Sequence, residues 1–425
     1  MELPAGVNRR YASVAAIALV ALWCWVAFDR PYRFPSHISW NIYSNRPQTP
    51  PTIDVFDFPP VESAAIERVC ANTDFNDTIT FVCDEPGGDV VEIRNSILTC
   101  VRYAIAAGAN LLIPRIIMRE DYVDEHAGNV TTFDYLFDTA HFVHSMDNVC
   151  SGMHLYGTAD ESTYKPISLV AESLARSSGK TTSKEWNVAF YKWLGEKIAP
   201  SKRPSIIEIS QSFLKYPISD DDEEFDRTFG KILKFAPDAR NLASTTLLKL
   251  SETVAIPRDM SQPILSNIFL GVHFSTLQKA DEIDKANFHY GTQSKLYLEQ
   301  ASQLGLDTIY ASSDDETDIA QFARDAQSMS IKVTSKFDLL KGGDRETLLR
   351  LTPDQQAMVD FLVLSKASQF VGVGHSGFAW NIALQRHQFA PQENYLEGPQ
   401  MLNDQLSQIY GTPKARPEFA ASMWP

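Results

Sequence analysis

Residues 360–386 read DFLVLSKASQFVGVGHSGFAWNIALQR and combine a helical run, a short apolar strand and a turn of small residues. We expect the strand to cover Gln369 to Val371 and a second helix to begin near Phe378. Between them, the small side chains of residues 372–377 let backbone N–H groups approach an anion, and the helix N-terminus adds partial positive charge. The turn therefore fits a phosphate, although the same pattern also fits an ordinary strand–loop–helix crossover in an α/β fold.

The same stretch resembles the C-terminal donor motif of the GDP-fucose protein O-fucosyltransferase superfamily, and it is most similar to that superfamily's divergent fungal, membrane-anchored members. In that family the acidic residue binds guanine, while the hydroxyl and the loop amides bind the diphosphate. The resemblance thus implies that GDP-fucose is the donor substrate and that no metal or other cofactor is needed. The matching residues are Asp360, Phe370, Gly372, Ser376, Gly377, Phe378, Asn381, Arg386 and His387.

Length and charge narrow the class of protein. The chain has 425 residues, a formal net charge of −15 and 44% hydrophobic residues. That length allows two globular domains. The negative charge argues against a nucleic-acid partner, because such a partner requires a basic face.

The N-terminal region predicts a membrane anchor. Residues 11–28 (YASVAAIALVALWCWVAF) form an uncharged run of 18 residues, at the lower edge of the length that spans a bilayer. Trp23, Trp25 and Phe28 lie toward its far end, where interfacial aromatics are common. We expect an uncleaved anchor and not a signal peptide, because no clear small-x-small cleavage site follows. Residues 29–60, rich in Pro, Ser and Asn, then form a stem.

Cysteines and glycosylation sequons indicate an oxidising compartment. Four of the five cysteines follow the anchor: Cys70, Cys83, Cys100 and Cys150. Cys70 and Cys83 bracket a short segment that could close as a loop, although the pairing stays open. Sequons begin at Asn76 and Asn129. With the anchor, these features predict a single-pass type II membrane protein of the Golgi or endoplasmic reticulum, with residues 1–10 cytosolic and the catalytic part lumenal.

A second motif lies in the first half of the chain. The spacing of apolar residues from Glu92 to Ala107 predicts a helix that Gly108 ends, and a short buried strand follows. Taken alone, Arg94 and Asn95 fit helix capping and solvent exposure as well as a functional role. The stretch also resembles the first donor-proximal motif of the fucosyltransferases, in which a turn delivers an Asn or an acid to the reaction centre. That match gives Asn95 the catalytic role.

A third candidate position follows an apolar run. Residues 268–272 predict a parallel strand that stops at His273, and ligands of open α/β sheets bind at the carboxyl ends of strands. His273 is therefore either a donor contact or a packed core histidine. The family carries His-x-Arg here, and its Arg holds the β-phosphate, whereas this chain has Ser275. A hydroxyl lacks the charge-assisted bidentate pair, and one such donor is worth about 10²–10³ in rate.

Together these features predict an α/β fold. The resemblance implies a GT-B-like arrangement of two Rossmann-like domains facing a cleft, residues 61–245 on the acceptor side and residues 246–425 on the donor side. It implies metal-independent, inverting transfer of fucose to a hydroxyl of a protein or small-molecule acceptor. Because of Ser275, a non-catalytic relative that binds a GDP-sugar or a glycan is the alternative, and a transferase for a small metabolite is another. No Cys/His spacing predicts a metal site, and no residue is identified as general base.

Overall fold

The computed structural model describes residues 54–83, 85–119, 128–157, 166–174, 183–198, 204–210, 212–218, 221–254, 259–276, 287, 289–313, 315–391, 403–412 and 417–425. The chain divides into two compact units, residues 1–47 and 48–425, and all described residues belong to the second. The predicted anchor, residues 11–28, lies outside the described residues. Within the described ranges, no helix is long and apolar enough to cross a membrane.

The first half of this unit builds one parallel sheet with its helices. The helices are α1 (Ala64–Ala71), α2 (Val90–Ala106), α3 (Thr139–Val149), α4 (Ser183–Lys197), α5 (Glu223–Phe229) and α6 (Pro237–Val254). The strands are β1 (Asn76–Cys83), β2 (Ala109–Leu112), β3 (Ile116–Arg119), β4 (Gly128–Thr131), β5 (Leu155–Tyr156), β6 (Ile167–Leu169) and β7 (Ser205–Ile209). β3 and β4 form an antiparallel hairpin. The other five strands pair in parallel in the order β5-β2-β1-β7-β6.

The second half builds a second parallel sheet. The helices are α7 (Tyr290–Leu304), α8 (Glu316–Gln327), α9 (Lys336–Leu339), α10 (Gly343–Arg350), α11 (Pro353–Ser365), α12 (Gly377–His387) and α13 (Pro417–Ser422). The strands are β8 (Leu270–Phe274), β9 (Thr308–Ser313), β10 (Lys332–Thr334), β11 (Gln369–Val373) and β12 (Ser407–Tyr410). They pair in parallel in the order β10-β9-β8-β11-β12. The predicted α/β fold with parallel sheets is confirmed, while the domain boundaries stay a prediction.

In each sheet the chain order reverses beside the first strand. The reversal falls between β1 and β7 in the first sheet and between β8 and β11 in the second. Loops on either side of such a reversal diverge and leave a crevice at the carboxyl ends of the strands. The second reversal brings together the predicted strand-end histidine and the small-residue turn, so this is the edge where we look for a site.

The helix α2 begins two residues earlier than the sequence predicts. Asp89 caps it, because its carboxylate accepts hydrogen bonds from the N–H groups of Val91 and Glu92 at 2.8 Å, and Glu92 completes a capping box. Arg94 and Asn95 therefore lie one turn inside the helix, where they are 3% and 0% exposed. The interpretation of these two residues as capping, solvated groups is wrong.

Two disulfides link helices to their neighbours in the first sheet. Cys83, the last residue of β1, pairs with Cys100 of α2, and Cys70 of α1 pairs with Cys150 at the end of α3. A loop closed by Cys70 and Cys83 is therefore wrong. The Cα atoms of the true pairs are 5.3 and 5.8 Å apart, within the range that a disulfide spans. Packing of a helix against the adjacent strand or helix decides the pairing.

The segment before α1 is ordered from Asp54, inside the stretch predicted as stem. Arg240 of α6 donates a hydrogen bond to Asp54 at 2.8 Å, and Lys234 donates to Asp57 at 2.9 Å. Phe56 joins the main apolar core. That core continues through α2, α6, α11 and α12 to the last residues of the chain, so helices of both sheets share one apolar cluster.

Candidate functional site

The two strand ends at the reversal of the second sheet are joined by a direct contact. The Nε2 atom of His375, in the turn after β11, lies 3.1 Å from the carbonyl oxygen of Ser275, which follows β8. Gln293 of α7 holds the same Ser275 from the other side, accepting from its N–H at 3.2 Å and donating to its carbonyl at 2.9 Å. The backbone of Ser275 is thus held on two sides.

The hydroxyl of Ser275 is a buried polar group at this edge. The residue is 1% exposed, and its Oγ has no hydrogen-bond partner in the part of the chain that the structure describes. Buried hydroxyls are rarely left without a partner, because desolvation without a new hydrogen bond costs about 1–3 kcal/mol. An unpaired hydroxyl at a strand end therefore indicates a position for a ligand atom.

The turn after β11 leads directly into the N-terminus of α12. Ser376 is the N-cap, and its Oγ accepts a hydrogen bond from the N–H of Ala379 at 3.2 Å. The helix begins at Gly377, one residue before the predicted start near Phe378. A Cβ on Gly372 would lie 2.5 Å from the Ala379 side chain, so this glycine permits the close packing of β11 on α12. The first N–H groups of α12 and its macrodipole suit an anionic group.

His273 lies inside β8 and not beyond it, because the strand extends two residues further than predicted, to Phe274. Its Nδ1 is 3.0 Å from the Oγ of Ser312, and its ring centroid is 4.6 Å from that of Phe378. Burial lowers the pKa of His273 to about 3, with smaller contributions from His375 and Lys336. The imidazole is therefore neutral at pH 7 and cannot supply the positive charge that an Arg would bring.

Asp360 sits in the middle of α11 within a buried polar network. The residue is 5% exposed, its Oδ1 accepts from the hydroxyl of Tyr310 at 2.7 Å, and its Oδ2 accepts from Nζ of Lys336. Burial, and then the Asp360 charge, raise the pKa of Tyr310 well above its usual value, so the phenol stays a donor. Both carboxylate oxygens of Asp360 are therefore already bound within the protein.

Asn95 faces the last residues of the chain. Its side-chain amide donates to the carbonyl oxygen of Ser422 at 3.0 Å and accepts from the N–H of Trp424 at 3.2 Å. The neighbouring Arg94 donates to the carbonyl oxygens of Trp424 and Pro425 at 2.9 and 2.8 Å. Burial lowers the pKa of Arg94 to about 10, which leaves it charged at neutral pH.

The structure thus groups most of the predicted site residues and separates one of them. His273, Ser376, Gly377 and Phe378 surround the ends of β8 and β11, and Asp360 adjoins them through Lys336. Asn95 is on α2, across from α12, and its contacts go to the C-terminal residues. The two predicted glycosylation sites lie elsewhere, exposed on the first strand and on the hairpin: Asn76 and Asn129.

Sequence reasoning missed two polar residues that hold this edge together. Gln293 is fully buried, and the signal for it was a polar residue on the apolar face of α7, four positions before Tyr297. Lys336 is the second residue after β10, so the rule that ligands bind at the carboxyl ends of strands would have marked it. Among the described residues, no group of three or more His, Cys, Asp or Glu side chains could hold a metal ion.

Comparison with known proteins gives structural similarity only. No protein-family model matches the chain, and no curated protein matches it. The solved structure of POFUT1 in complex with GDP is 14% identical, with 80% of this chain and 100% of that chain covered, at a TM-score of 0.46. Fucosyltransferase NodZ from Bradyrhizobium is 13% identical over 71% of this chain and 91% of that one, at a TM-score of 0.38. A variant of Arabidopsis thaliana FUT1 in complex with GDP is 10% identical, with 76% of this chain and 71% of that chain covered, at a TM-score of 0.37. At these identities and TM-scores the similarity establishes neither a ligand nor a reaction for this chain.

Proposed function

We propose that this chain binds a guanosine diphosphate sugar at the reversal of the second sheet and transfers the sugar, fucose by resemblance, to a hydroxyl acceptor. The observation that carries the proposal is the buried hydroxyl of Ser275, which has no hydrogen-bond partner among the described residues and lies beside the N-terminus of α12. The hydroxyl and the first N–H groups of α12 are neutral hydrogen-bond donors, and a diphosphate accepts hydrogen bonds from such groups. The choice of guanine as the base and of fucose as the sugar rests on the resemblance of residues 360–386.

In this proposal each residue has a definite part. The N–H groups at the start of α12, the Ser376 cap and the Ser275 hydroxyl hold the diphosphate, and Phe378 with neutral His273 form the adjoining wall. As the acceptor oxygen bonds to the anomeric carbon, the bond from that carbon to the diphosphate breaks with inversion, GDP leaves, and the acceptor proton is released. To bind guanine, Asp360 gives up the hydrogen bond that it accepts from Lys336 or from Tyr310 and accepts one from the base instead. The resemblance implies a reaction without a metal.

The second candidate is a relative that binds the GDP-sugar without turnover. It is favoured by the chemistry of the diphosphate site, because Ser275 is uncharged and the low pKa of His273 leaves that residue neutral. Neither offers the charge-assisted contact that stabilises a leaving diphosphate. Asn95, the predicted catalytic residue, is also engaged by the C-terminal residues. Binding with no transfer to any acceptor would select this candidate.

A titration with a matched pair of variants tests the site. Purified full chain is titrated calorimetrically with GDP-fucose, GDP-mannose and UDP-glucose in metal-free buffer, and donor hydrolysis is followed in the same buffer. Ser275→Ala removes a buried hydroxyl that has no hydrogen-bond partner among the described residues, so we expect an unfolding midpoint at least as high as that of the wild type. We expect GDP binding to be about 2- to 12-fold weaker, from about 0.5–1.5 kcal/mol per neutral hydrogen bond.

The control variant is Ser407→Ala. The Ser407 hydroxyl accepts from Arg386 at 3.1 Å at the start of β12, so this change lowers stability and leaves GDP affinity as it is. Ser275→Ala binding GDP as tightly as the wild type would remove Ser275 from the site. Failure of every guanine nucleotide to bind would mean that the turn after β11 is only a crossover.

The predicted lumenal, type II membrane location also stands as a proposal. Two disulfides support an oxidising compartment. In the first sequon, the Oδ1 of exposed Asn76 accepts from the hydroxyl of Thr78 at 2.7 Å, which presents the sequon as an exposed local turn. Expression in secretory cells followed by enzymatic deglycosylation tests it: Asn76→Gln loses one glycan mass, and a wild-type chain with no glycan at all contradicts the location.

A further inference from the structure

One face of the second sheet carries a row of polar side chains near its carboxyl edge. The strand register pairs His273 of β8 with Ser312 of β9, and it pairs Thr334 of β10 with Tyr310 of β9. Paired residues on neighbouring strands point to the same face, and so do residues two positions apart on one strand. Helix α11 covers this face, because a Cβ on Gly271, which pairs with Tyr310, would lie 2.9 Å from side chains of α11.

A buried ion pair stands at one end of the row. Lys336, the second residue after β10, donates from Nζ to Asp360 of α11, and the two side chains are 9% and 6% exposed. The hydroxyl of Tyr310 donates to the other carboxylate oxygen of Asp360 at 2.7 Å. Phe361, the next residue of α11, packs on Phe378 in the first turn of α12, with ring centroids 5.4 Å apart. The ion pair is thus linked by packing to the helix N-terminus of the proposed diphosphate site.

The ion pair has hydrogen-bonding capacity left for a further group. An ammonium has three N–H donors, and a carboxylate has about four acceptor positions. Among the described residues, Nζ of Lys336 donates to Asp360 and otherwise lies over the ring of Phe337, 4.9 Å from its centroid. A buried ammonium with so few hydrogen bonds is costly, because each donor has lost its water. The pair therefore presents a donor and an acceptor side by side to a ligand.

The spacing of the strands fits a nucleotide that lies across this edge. Ser275 follows β8 and Lys336 follows β10, with β9 between the two strands. Neighbouring strands lie about 4.8 Å apart, so the backbones of β8 and β10 are about 10 Å apart. That separation is close to the distance from the diphosphate to the base in an extended nucleoside diphosphate. A diphosphate held at Ser275 therefore leaves the base within reach of Lys336 and Asp360.

We propose that Lys336 determines the base specificity of this site by donating a hydrogen bond to O6 of guanine. The inference rests on the proposed function and adds Lys336 to it. Asp360 gives up the hydrogen bond from Lys336 and accepts from N1–H and the 2-amino group of the base. The released ammonium then donates to O6, which is adjacent to N1, so the two charges stay close together.

The same pair of charges rejects adenine. Adenine carries an amino group in place of O6 and an acceptor nitrogen in place of N1–H. An adenine base would therefore direct an N–H group at the ammonium of Lys336 and a lone pair at the carboxylate of Asp360. Both contacts are repulsive, so specificity comes from rejection of the wrong base as well as from binding of the right one.

Calorimetric titration of the full chain with three ligands tests the role of Lys336. The ligands are GDP, 2-aminoadenosine 5′-diphosphate and inorganic pyrophosphate. The second differs from GDP only in the amino group at C6 and the bare N1, and the third has no base. We expect the wild type to bind GDP at least about 100-fold more tightly than 2-aminoadenosine 5′-diphosphate. In Lys336→Met we expect this ratio to fall about 10- to 150-fold, the value of a hydrogen bond to a charged group, while pyrophosphate binds both proteins equally well.

The control variant is Lys366→Met, which removes a second lysine that is as buried as Lys336. Lys366 caps the C-terminus of α11, at the opposite end from the nucleotide, and it is 6% exposed. Its Nζ donates to the carbonyl oxygens of Met260 and Gln262 at 3.0 and 2.7 Å. We expect this variant to be less stable than the wild type and to keep the wild-type ratio of the two nucleotide affinities.

An unchanged ratio in folded Lys336→Met would overturn the proposal, because the ion pair would then be structural only. Should Lys336→Met not fold, Lys336→Gln takes its place. Its amide still donates to Asp360 but offers a base both a donor and an acceptor, so the ratio falls there too, and an unchanged ratio again overturns the proposal. A wild type that binds pyrophosphate and both nucleotides equally also overturns it, while the diphosphate site stands. A wild type that binds none of the three ligands refutes the proposed function itself.

Discussion

Asp360→Ala separates the structural role of this carboxylate from a role in binding guanine. Asp360 and Lys336 form an ion pair whose side chains are 6% and 9% exposed, and Tyr310 donates to the remaining carboxylate oxygen. Removal of the carboxylate leaves a buried ammonium and a buried phenol without their partner. Breaking such a buried pair from one side costs about 3–5 kcal/mol. We therefore expect Asp360→Ala to be destabilised by about 4 kcal/mol.

That loss is large enough to measure. The free energy of unfolding of typical domains is about 5–15 kcal/mol, so the variant loses a large fraction of its stability while it remains folded at 25 °C. Unfolding entropy is about 2.1 cal/mol/K per residue, which for a unit of several hundred residues makes the expected drop in melting temperature about 5 °C. Urea unfolding monitored by tryptophan fluorescence measures the free energy of unfolding, and scanning calorimetry measures the melting temperature.

A second variant tells the two roles apart. Lys336→Met, Asp360→Leu and Tyr310→Phe together replace the whole network by apolar groups of similar volume, and such replacement is often neutral or stabilising. We expect the triple variant to regain the stability of the wild type but not its affinity for GDP. Asp360→Ala with wild-type stability would refute the buried network. A triple variant that binds GDP normally would show that Asp360 has no contact with the ligand.

Two further predictions follow from buried groups in the first half of the chain. Burial, and then the Asp221 charge, raise the pKa of Asp226 to about 9, so the folded protein holds a proton that the unfolded chain has released above pH about 4. Stability therefore falls as pH rises from about 4 toward 9, and urea midpoints of Asp226→Asn fall less over that interval; parallel pH profiles would contradict this. Removal of the Cys83–Cys100 disulfide lowers the free energy of unfolding by about 3 kcal/mol. Removal of the Cys70–Cys150 disulfide lowers it more, because that bond joins residues 80 positions apart, whereas Cys83 and Cys100 are 17 positions apart. Urea midpoints of the Cys→Ser pairs check this order, and the reverse order would contradict the loop-entropy argument.

Local patterns in the sequence predicted the strand, the turn and the helix of residues 369–387. The strand predicted from Gln369 to Val371 runs to Val373, and the helix predicted near Phe378 begins at Gly377 with Ser376 as its cap. These features depend on residues within about four positions of one another.

The partners of the buried polar groups could not be found in this way. Lys336 and Asp360 are 24 residues apart, and each by itself fits a solvated surface position. They meet because β10, β9 and α11 pack together, and in the interior each needs the other to offset its desolvation. The same holds for Ser275 and Gln293, which touch only once α7 lies across the end of β8.

By itself, the sequence determined the α/β class, the strand–turn–helix unit at residues 369–387 and the substitution of a serine where the resembling family has an arginine. Those properties follow from side-chain spacing and from the backbone preferences of neighbouring residues. Only the tertiary structure decided that Arg94 and Asn95 bind the backbone of residues 422–425, since Arg94 and Trp424 are separated by 330 positions. Contacts over such separations depend on how whole helices and sheets pack, and no local pattern encodes them.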